Sequence, residues 1–194
     1  MCNTERNIKN AAIDILLKEG NFDLSMHEIA EKSEVSRTVI NYYFRSKENL
    51  LSVVNNEIIR NIVIPKYYEL FSADLLRSKI DKYICCSEEV SRSYPYLDLY
   101  VISQCKTIIT FQEYLKTMQK SYNILLSEIQ CAIDAGITGY TTPDCFLIDL
   151  FSLTNYSFMY IDFFESETNP LTRGNKTNIF TSRKTKILNV LFMG

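Results

Sequence analysis

The sequence predicts an all-α protein, with an N-terminal three-helix domain and a larger C-terminal helical domain, built from about nine helices. Helix breakers are rare, since the 194 residues include only five Gly and four Pro. Apolar residues recur at helical spacing along most of the chain, with no repeat or low-complexity tract. Short capped helices give way to long ones near Arg45-Ser46, so we place the domains at residues 1–46 and 47–194.

The first predicted helix carries its apolar residues on one face, at the spacing i, i+3, i+4, i+7 and i+8. These residues are Ile8, Ala11, Ala12, Ile15 and Leu16. Gly20 ends this helix, because glycine suits the left-handed position just past a helix end.

Three serines mark the starts of the next helices. Ser25 and Glu28 form the S-x-x-E pattern of a capping box, so a helix begins at Met26. Ser36 and Ser46 are N-caps of two further helices, because a serine side chain accepts a bond from a free backbone N–H. We expect the longer helices that follow to cover residues 47–64, 73–92, 96–109, 111–135, 143–164 and 180–192.

Residues 145–164 raise the question of a membrane span, because fourteen of these twenty residues are apolar or aromatic. Asp149, Asn155 and Asp162 lie inside this segment, and charged groups are costly at bilayer depth. A helix that is apolar on most sides is usually buried, often against a partner subunit. We therefore expect a core or interface helix, and no membrane partner.

The charge of the chain excludes a protein that coats nucleic acid by charge alone, because the formal net charge is −2. Residues 36–47 nevertheless carry Arg37, Arg45 and Lys47 without any acidic residue. Contact with nucleic acid would therefore need a small, oriented basic patch.

Cysteine and histidine patterns predict no metal site and no cofactor. None of the six cysteines forms a C-x-x-C pair, and His27 is the only histidine. The N-terminal stretch MCNTERNIKN lacks the apolar core of a signal peptide, so we expect a cytoplasmic protein with reduced thiols. Cys85 and Cys86 are adjacent, which fits core thiols better than a redox sensor. Without G-x-S-x-G, P-loop or dinucleotide motifs, we expect no enzyme and no catalytic residue.

Two short helices joined by a turn predict a helix-turn-helix, whose second helix lies in the major groove of DNA. Ala30 supplies the small residue where the helices cross, and Val35 and Ile40 supply apolar locks. The outer side of the second helix then carries Arg37, Thr38, Asn41 and Tyr42. Arg can read guanine, Asn can read adenine, and Thr or Tyr can meet a thymine methyl or a phosphate. Phosphate contacts are expected from the flanking residues Ser25, Tyr43 and Lys47.

The pattern alone is also compatible with a plain three-helix packing unit. Residues 8–54, however, resemble the N-terminal domain of the tetracycline-repressor (TetR/AcrR) family of bacterial transcription regulators. The matching pieces are AAIDILLKEG, SMHEIAEKSEVS and INYYFRSKENLL, in the order and spacing of the family. The resemblance implies a homodimer that binds a palindromic double-stranded operator. It also implies a small-molecule pocket in the C-terminal helices, whose occupancy moves the two DNA-binding heads apart.

Two features depart from the family pattern. Glu34 stands in the turn where the family usually has Gly, and a left-handed conformation there would cost about 1 kcal/mol. Thr38 and Asn41 stand where the family favours Gly and Tyr, so the operator sequence cannot be copied from a relative.

The implied pocket lies among the helices of residues 60–135. Its expected lining is aromatic with a few polar groups, which suits a largely apolar ligand. The residues are Tyr67, Tyr83, Cys86, Tyr100, Gln104, Phe111 and Tyr122, each of which, taken singly, fits plain core packing better than a pocket wall.

The two C-terminal helices are expected to pair with their copies in a four-helix bundle. The expected interface residues are Phe151, Tyr156, Phe158, Met159, Phe163 and Leu188. The predicted function is a homodimeric, sequence-specific repressor released from its operator by a small ligand. The alternatives are a helical protein-interaction module that has lost DNA binding and a redox-responsive regulator that uses Cys85 and Cys86.

Overall fold

The computed structural model describes residues 3–104, 109–164 and 176–192, and in these residues all regular structure is helical. The predicted all-α class is therefore confirmed. The helices are α1 (Asn3–Leu17), α2 (Met26–Ser33), α3 (Arg37–Phe44), α4 (Lys47–Ile58), α5 (Ile64–Tyr68), α6 (Leu76–Ser93), α7 (Leu97–Gln104), α8 (Ile109–Asp134), α9 (Pro143–Phe164) and α10 (Lys176–Phe192). No helix in the described ranges combines the length and the apolar character that a bilayer span requires.

The chain divides into two compact units. The first comprises Met1–Ile64 and Ser93–Leu115, and the second comprises Pro65–Arg92 and Lys116–Gly194. The domain boundary that the sequence predicts after residue 46 falls within the first unit. The division into a DNA-binding domain and a ligand-binding domain at this residue stays a prediction.

The core of the first unit forms where α1 packs against α2 and α4. The apolar face predicted for α1 is buried, together with Leu24, Ile29, Ile40, Leu50 and Val54. Lys9 is buried on the same helix, with its Nζ 2.5 Å from Oε1 of Glu57 in α4 and 3.5 Å from Oε1 of Glu5. Burial lowers the pKa of Lys9, but the hydrogen bond to Glu57 and the two carboxylate charges raise it overall. This ion pair therefore ties α1 to α4.

Helix α7 closes the other side of the first unit. The backbone N–H of Tyr96 donates to the carbonyl of Leu17 at 3.0 Å. The hydroxyl of Tyr100 donates to Oδ1 of Asn55 at 2.6 Å, and its ring lies 5.4 Å from the ring of Phe22. Tyr96 and Tyr100 thus contact the end of α1, the loop that follows it and α4.

The region around Pro65 differs from the sequence expectation of a break at Ile64. A π-helical turn, Ile59–Val63, follows α4, and the N–H of Ile64 bonds the carbonyl of Ile59. The chain stays helical through Pro65 into α5. A proline within a regular α-helix removes a backbone bond and clashes with the preceding turn, and a wider turn relieves that clash.

The second unit has its own core among α5, α6, α8, α9 and α10. Tyr83, Ile84, Ile129, Phe146 and Leu191 are all at most 1% exposed within it. The ring of Phe146 lies 5.6 Å from that of Phe192, in an edge-to-face arrangement. Lys79 is buried at the edge of this core, with its Nζ 2.7 Å from Oε2 of Glu128. These contacts join the last helix of the chain to α6, α8 and α9.

Candidate nucleic-acid interface

The two short helices α2 and α3 begin at the predicted caps. The hydroxyl of Ser25 accepts from the N–H of Glu28 at 3.2 Å, and the carboxylate of Glu28 accepts from the N–H of Ser25 at 2.6 Å. These bonds lower the pKa of Glu28. Ser36 caps α3 by accepting from the N–H of Val39 at 3.3 Å. Both helix starts are therefore fixed by local sequence.

The turn between the helices adopts the left-handed conformation that glycine favours, although the residue there is Glu34. Its φ and ψ are 55° and 34°. The N–H groups of Glu34 and Val35 donate to the carbonyls of Glu31 and Ala30 at 3.2 and 3.1 Å. The end of α2 thus has the bond pattern of a left-handed C-cap, with an acidic side chain at a position whose conformation favours glycine.

Helix α3 buries one face and exposes the other. Ile40 is fully buried, Phe44 is 6% exposed and Val39 is half-buried. The side chains of Arg37, Thr38, Asn41 and Tyr42 are exposed. They stand at i, i+1, i+4 and i+5, which places them on one side of a helix. Tyr42 is 73% exposed, which is unusual for an aromatic side chain without a partner to cover it. The structure thus brings the four predicted base-reading residues together on one solvent-facing surface.

Of the three predicted phosphate contacts, Tyr43 adjoins this surface directly. Tyr43 is half-buried, and its ring lies 5.3 Å from that of Tyr42 in an edge-to-face arrangement. Lys47 opens α4, and its Nζ lies 3.6 Å from a carboxylate oxygen of Asp23. Such an exposed pair contributes little to stability, so Lys47 can exchange Asp23 for a phosphate. Ser25 is half-buried at the N-terminus of α2.

Arg45 is a further exposed cation that sequence reasoning did not assign to a contact. It follows α3 directly and has a φ of 68°. Its position in the acid-free run of residues 36–47 was the available signal. His27, the single histidine, is exposed on α2.

The residues predicted for a ligand pocket fall into two groups. Tyr67 and Tyr83 meet in the second unit, with ring centres 5.6 Å apart. Cys86 and Tyr122 are half-buried in the same unit, whereas Tyr100 and Gln104 belong to the first. The side chain of Phe111 lies outside the described residues. The pocket as a whole stays a prediction.

A cavity of about 350 Å³ in the second unit was not anticipated from the sequence. Arg77 in its wall lies 5.2 Å from the ring centre of Phe192. Its lining consists of Leu75, Leu76, Arg77, Glu128, Cys131, Ala132, Ile137 and Phe192, none of which was predicted to bind a ligand.

The predicted interface residues of α9 and α10 have different surroundings. Tyr156 is 46% exposed, whereas Phe151 packs against Tyr67 and Tyr83, and Leu188 packs against the core of its unit. The side chains of Phe158, Met159 and Phe163 lie outside the described residues. The structure adds two exposed apolar residues to these helices, Ile148 (62% exposed) and Val190 (51% exposed).

The adjacent cysteines of α6 are both half-buried free thiols. The Sγ of Cys85 lies 3.5 Å from Nζ of Lys184. Burial, together with the charges of Glu89 and Glu69, raises the pKa of the Cys86 thiol. A raised pKa disfavours the reactive thiolate of Cys86, which argues against a redox role for that residue. Among the described residues, no three His, Cys, Asp or Glu side chains gather as metal ligands would.

The chain is similar to known proteins in both sequence and fold. Residues 8–54 match the family model described as bacterial regulatory proteins, tetR family. No curated protein matches the chain. Among solved structures, a TetR family transcription regulator from Marinobacter aquaeolei VT8 is similar over 97% of this chain and 95% of its own, with 12% identity and a TM-score of 0.65.

Two further solved structures are similar to this chain over nearly their whole length. The hemolysin II transcriptional regulator HlyIIR covers 97% of both chains at 16% identity, with a TM-score of 0.62. A TetR transcription regulator from Haloarcula marismortui covers 98% of both chains at 14% identity, with a TM-score of 0.58. At such identities the likeness concerns the fold. Residues 8–54 thus form a domain of the tetR family of bacterial regulatory proteins, and the whole chain has the fold of TetR-family transcription regulators.

Proposed function

We propose that the chain is a cytoplasmic, homodimeric transcriptional regulator that represses from a palindromic operator and is released by a small, largely apolar ligand. The observation that supports DNA binding most directly is the exposed face of α3. Four side chains with base-reading or phosphate-binding groups share that face, while the opposite face is buried. An amphipathic helix of this kind, presented by a capped helix-turn-helix, fits the major groove.

Each residue of that face has a chemical role. Arg37 stands at the N-terminal end of α3, where a guanidinium can donate two bonds to guanine O6 and N7. Asn41, one turn later, can pair with adenine N6 and N7. Thr38 and Tyr42 supply a methyl group, an aromatic ring and hydroxyls for thymine or backbone contacts. Together they specify a short half-site.

Phosphate contacts would fix the register of α3 in the groove. Lys47 and Arg45 lie at the exit of the helix, and Ser25 lies at the start of α2. The capped N-termini of α2 and α4 add partial positive charge for the same phosphates. Because the net charge of the chain is −2, binding depends on this small patch and not on the overall field.

Dimerisation is supported by the exposed apolar residues on the last two helices. Ile148, Tyr156 and Val190 are exposed by 62%, 46% and 51%. Ile148 and Tyr156 are eight residues apart, so they lie on one stripe of α9. A two-fold contact through this stripe would bury it and pair two recognition helices.

Release by a ligand is the simplest regulatory scheme for this architecture. A ligand that binds one conformation of the second unit more tightly shifts the population toward it. If that conformation holds the two recognition helices at a spacing different from ~34–36 Å, they no longer fit successive major grooves. Repression is then relieved.

Three variants at two positions test the DNA-binding role. Arg37→Ala should weaken binding by about 1–3 kcal/mol and change sequence preference, because it removes a base-reading group. Arg37→Lys keeps the charge but not the bidentate geometry, so it should lose preference more than general affinity. Lys47→Ala should weaken binding to all sequences alike and reduce the salt slope by about 1. Lys120→Ala, an exposed change on α8, is the matched control.

Fluorescence anisotropy with a selected operator and a scrambled duplex would measure these effects. If the Arg37 and Lys47 variants all bound like wild type, the assigned contacts would be wrong. A salt titration separates this proposal from the protein-interaction alternative. DNA binding should weaken steeply with ionic strength, whereas association through an apolar surface should not.

A further inference from the structure

A cavity of about 350 Å³ lies in the second unit, where the start of α6, the end of α8 and the end of α10 meet. Ala132 of α8 and Phe192 of α10 line it and are buried. Small-molecule sites in proteins usually measure roughly 300–1,000 Å³. The cavity is therefore large enough for a small organic molecule.

Two aliphatic side chains of the lining are largely uncovered by the residues that the structure describes. Leu75, just before α6, is 85% exposed, and Ile137, just after α8, is 54% exposed. Removing aliphatic surface from water is favourable, roughly in proportion to its area. A ligand with an aliphatic body would cover both side chains at once.

The carboxylates in and beside the lining are each paired with a lysine. Glu128, in the lining, has its Oε2 2.7 Å from Nζ of the buried Lys79. Asp74, the neighbour of Leu75 in the chain, has its Oδ2 2.7 Å from Nζ of Lys82. These two negative charges are therefore compensated before any ligand binds.

Arg77 is the remaining charged residue of the lining. Its guanidinium carbon lies 5.2 Å from the ring centre of Phe192, and no carboxylate of a described residue pairs with it. A guanidinium that contacts an aromatic ring keeps its N–H donors, which lie in its own plane, available for a second partner. The first turn of α6 carries no acidic residue, so the partial positive charge of the helix start adds to that of Arg77.

We propose that this cavity binds a small organic anion with an aliphatic body. The carboxylate of the ligand pairs with Arg77, and its chain packs on Leu75 and Ile137. None of the residues predicted for a ligand pocket lines this cavity, so it is a second site beside the predicted one. The inference goes beyond the proposed function, because it requires neither DNA nor dimerisation.

The lining favours this class of ligand over others. A carboxylate accepts two parallel bonds from a guanidinium, and such charge-assisted bonds are stronger than neutral ones. An amide of the same shape lacks the charge, and an amine would be repelled by Arg77. Because Arg77 contacts the Phe192 ring, the remaining apolar lining is aliphatic and offers a flexible chain the larger surface.

The exposed thiol of Cys131 reports on the cavity, because this residue belongs to the lining. The full-length, reduced protein is alkylated with iodoacetamide, and the rate at each cysteine is followed by peptide mass spectrometry. The probes are hexanoate and hexanamide, which differ in the charged group. Cys145, which is exposed and outside the lining, is the internal control.

Hexanoate should slow the alkylation of Cys131 in a saturable way and leave Cys145 unchanged. Half-protection should need about fivefold less hexanoate than hexanamide, the preference expected for an exposed ion pair. Sodium chloride screens such a pair, so the preference should shrink as ionic strength rises.

Three variants at exposed positions separate the two parts of the site. Arg77→Met keeps an unbranched apolar side chain but removes the charge, so it should abolish the preference for hexanoate. Leu75→Ser removes aliphatic surface and should weaken protection by both probes alike. Lys120→Met, an exposed cation of α8 outside the lining, is the matched control and should behave like wild type.

Four results would overturn the proposal. They are no saturable protection of Cys131, equal protection by the two probes, an unchanged preference in Arg77→Met, and equal slowing at Cys145. Unchanged protection in Leu75→Ser would refute the aliphatic contact. If Cys131 reacts more slowly at higher protein concentration without any probe, a second copy of the chain occupies the cavity and the proposal is wrong.

Discussion

Replacing Glu34 by glycine should stabilise the protein, because the turn between α2 and α3 holds this residue in a left-handed conformation. The φ of 55° and ψ of 34° lie in the region where a Cβ crowds the following carbonyl. The Glu34 side chain is exposed, so its removal takes no packing from the core. The backbone N–H groups of residues 34 and 35 keep their hydrogen bonds to the carbonyls of Glu31 and Ala30 in this variant.

The expected gain is modest and follows from two opposing effects. A non-glycine residue in this conformation costs about 1–2 kcal/mol. Glycine returns ~0.4–1 kcal/mol of that, because it makes the unfolded chain more flexible. At the midpoints of these two ranges the net stabilisation is about 0.8 kcal/mol, which corresponds to a rise in Tm of roughly 2–3 °C for a chain of this size.

Thermal unfolding followed by circular dichroism measures the change, with Glu34→Gln as the matched control. Glutamine removes the charge but keeps the Cβ, so it should leave Tm unchanged. Both variants should bind DNA slightly more tightly, because each removes a negative charge near the recognition helix. An unchanged or lower Tm for Glu34→Gly, or an equal rise for Glu34→Gln, would refute the strain argument.

Three further changes test the first unit. The pKa of Glu28 is lowered, so its contribution to stability is present above about pH 4.5 and is lost below it. Glu28→Gln keeps the capping bonds and should flatten the loss of stability between pH 5 and 3; an unchanged acid profile would contradict this. Gly20 has a φ of 72°, and a Cβ there would lie 2.9 Å from the Tyr96 ring. Gly20→Ala should therefore lower Tm, and less so in a Tyr96→Ala background; equal losses would exclude the clash. Tyr100→Phe removes the bond to Asn55 and should cost about 1 kcal/mol in urea unfolding, whereas no change would show that the bond contributes nothing.

The helix-turn-helix could be predicted from sequence because its signals are local. Ser25, Ser36 and Ser46 each cap a helix that begins at the next residue. The identity of the inward residues follows from helical spacing, and Ile40 is buried as expected. Once the inward face is known, the outward face follows without any tertiary information.

The surroundings of the long helices could not be predicted in the same way. The sequence places Tyr100 and Tyr83 together as expected pocket residues, because both lie among the helices of residues 60–135. In the structure Tyr100 bonds Asn55 of the first unit, and Tyr83 bonds Asn155 of the second. Which helix covers a given face depends on tertiary packing, which periodicity does not encode.

The sequence does not predict the burial of Lys66, for a related reason. A single lysine among apolar residues is normally taken as a solvent-exposed side chain, since its stem can lie on the surface. The Nζ of Lys66 donates a hydrogen bond to Oδ1 of Asn155, which is 89 positions away in sequence. Pro65 beside it predicted a break, whereas a π-helical turn, Ile59–Val63, carries the helix through.

Selection of bound duplexes from a random DNA pool at moderate salt tests the central claim most directly. The account predicts a palindrome with two half-sites about one helical turn apart, and loss of that preference in Arg37→Ala. Enrichment of no common sequence, or of the same sequence by wild type and Arg37→Ala, would contradict the assignment of α3 as the recognition helix.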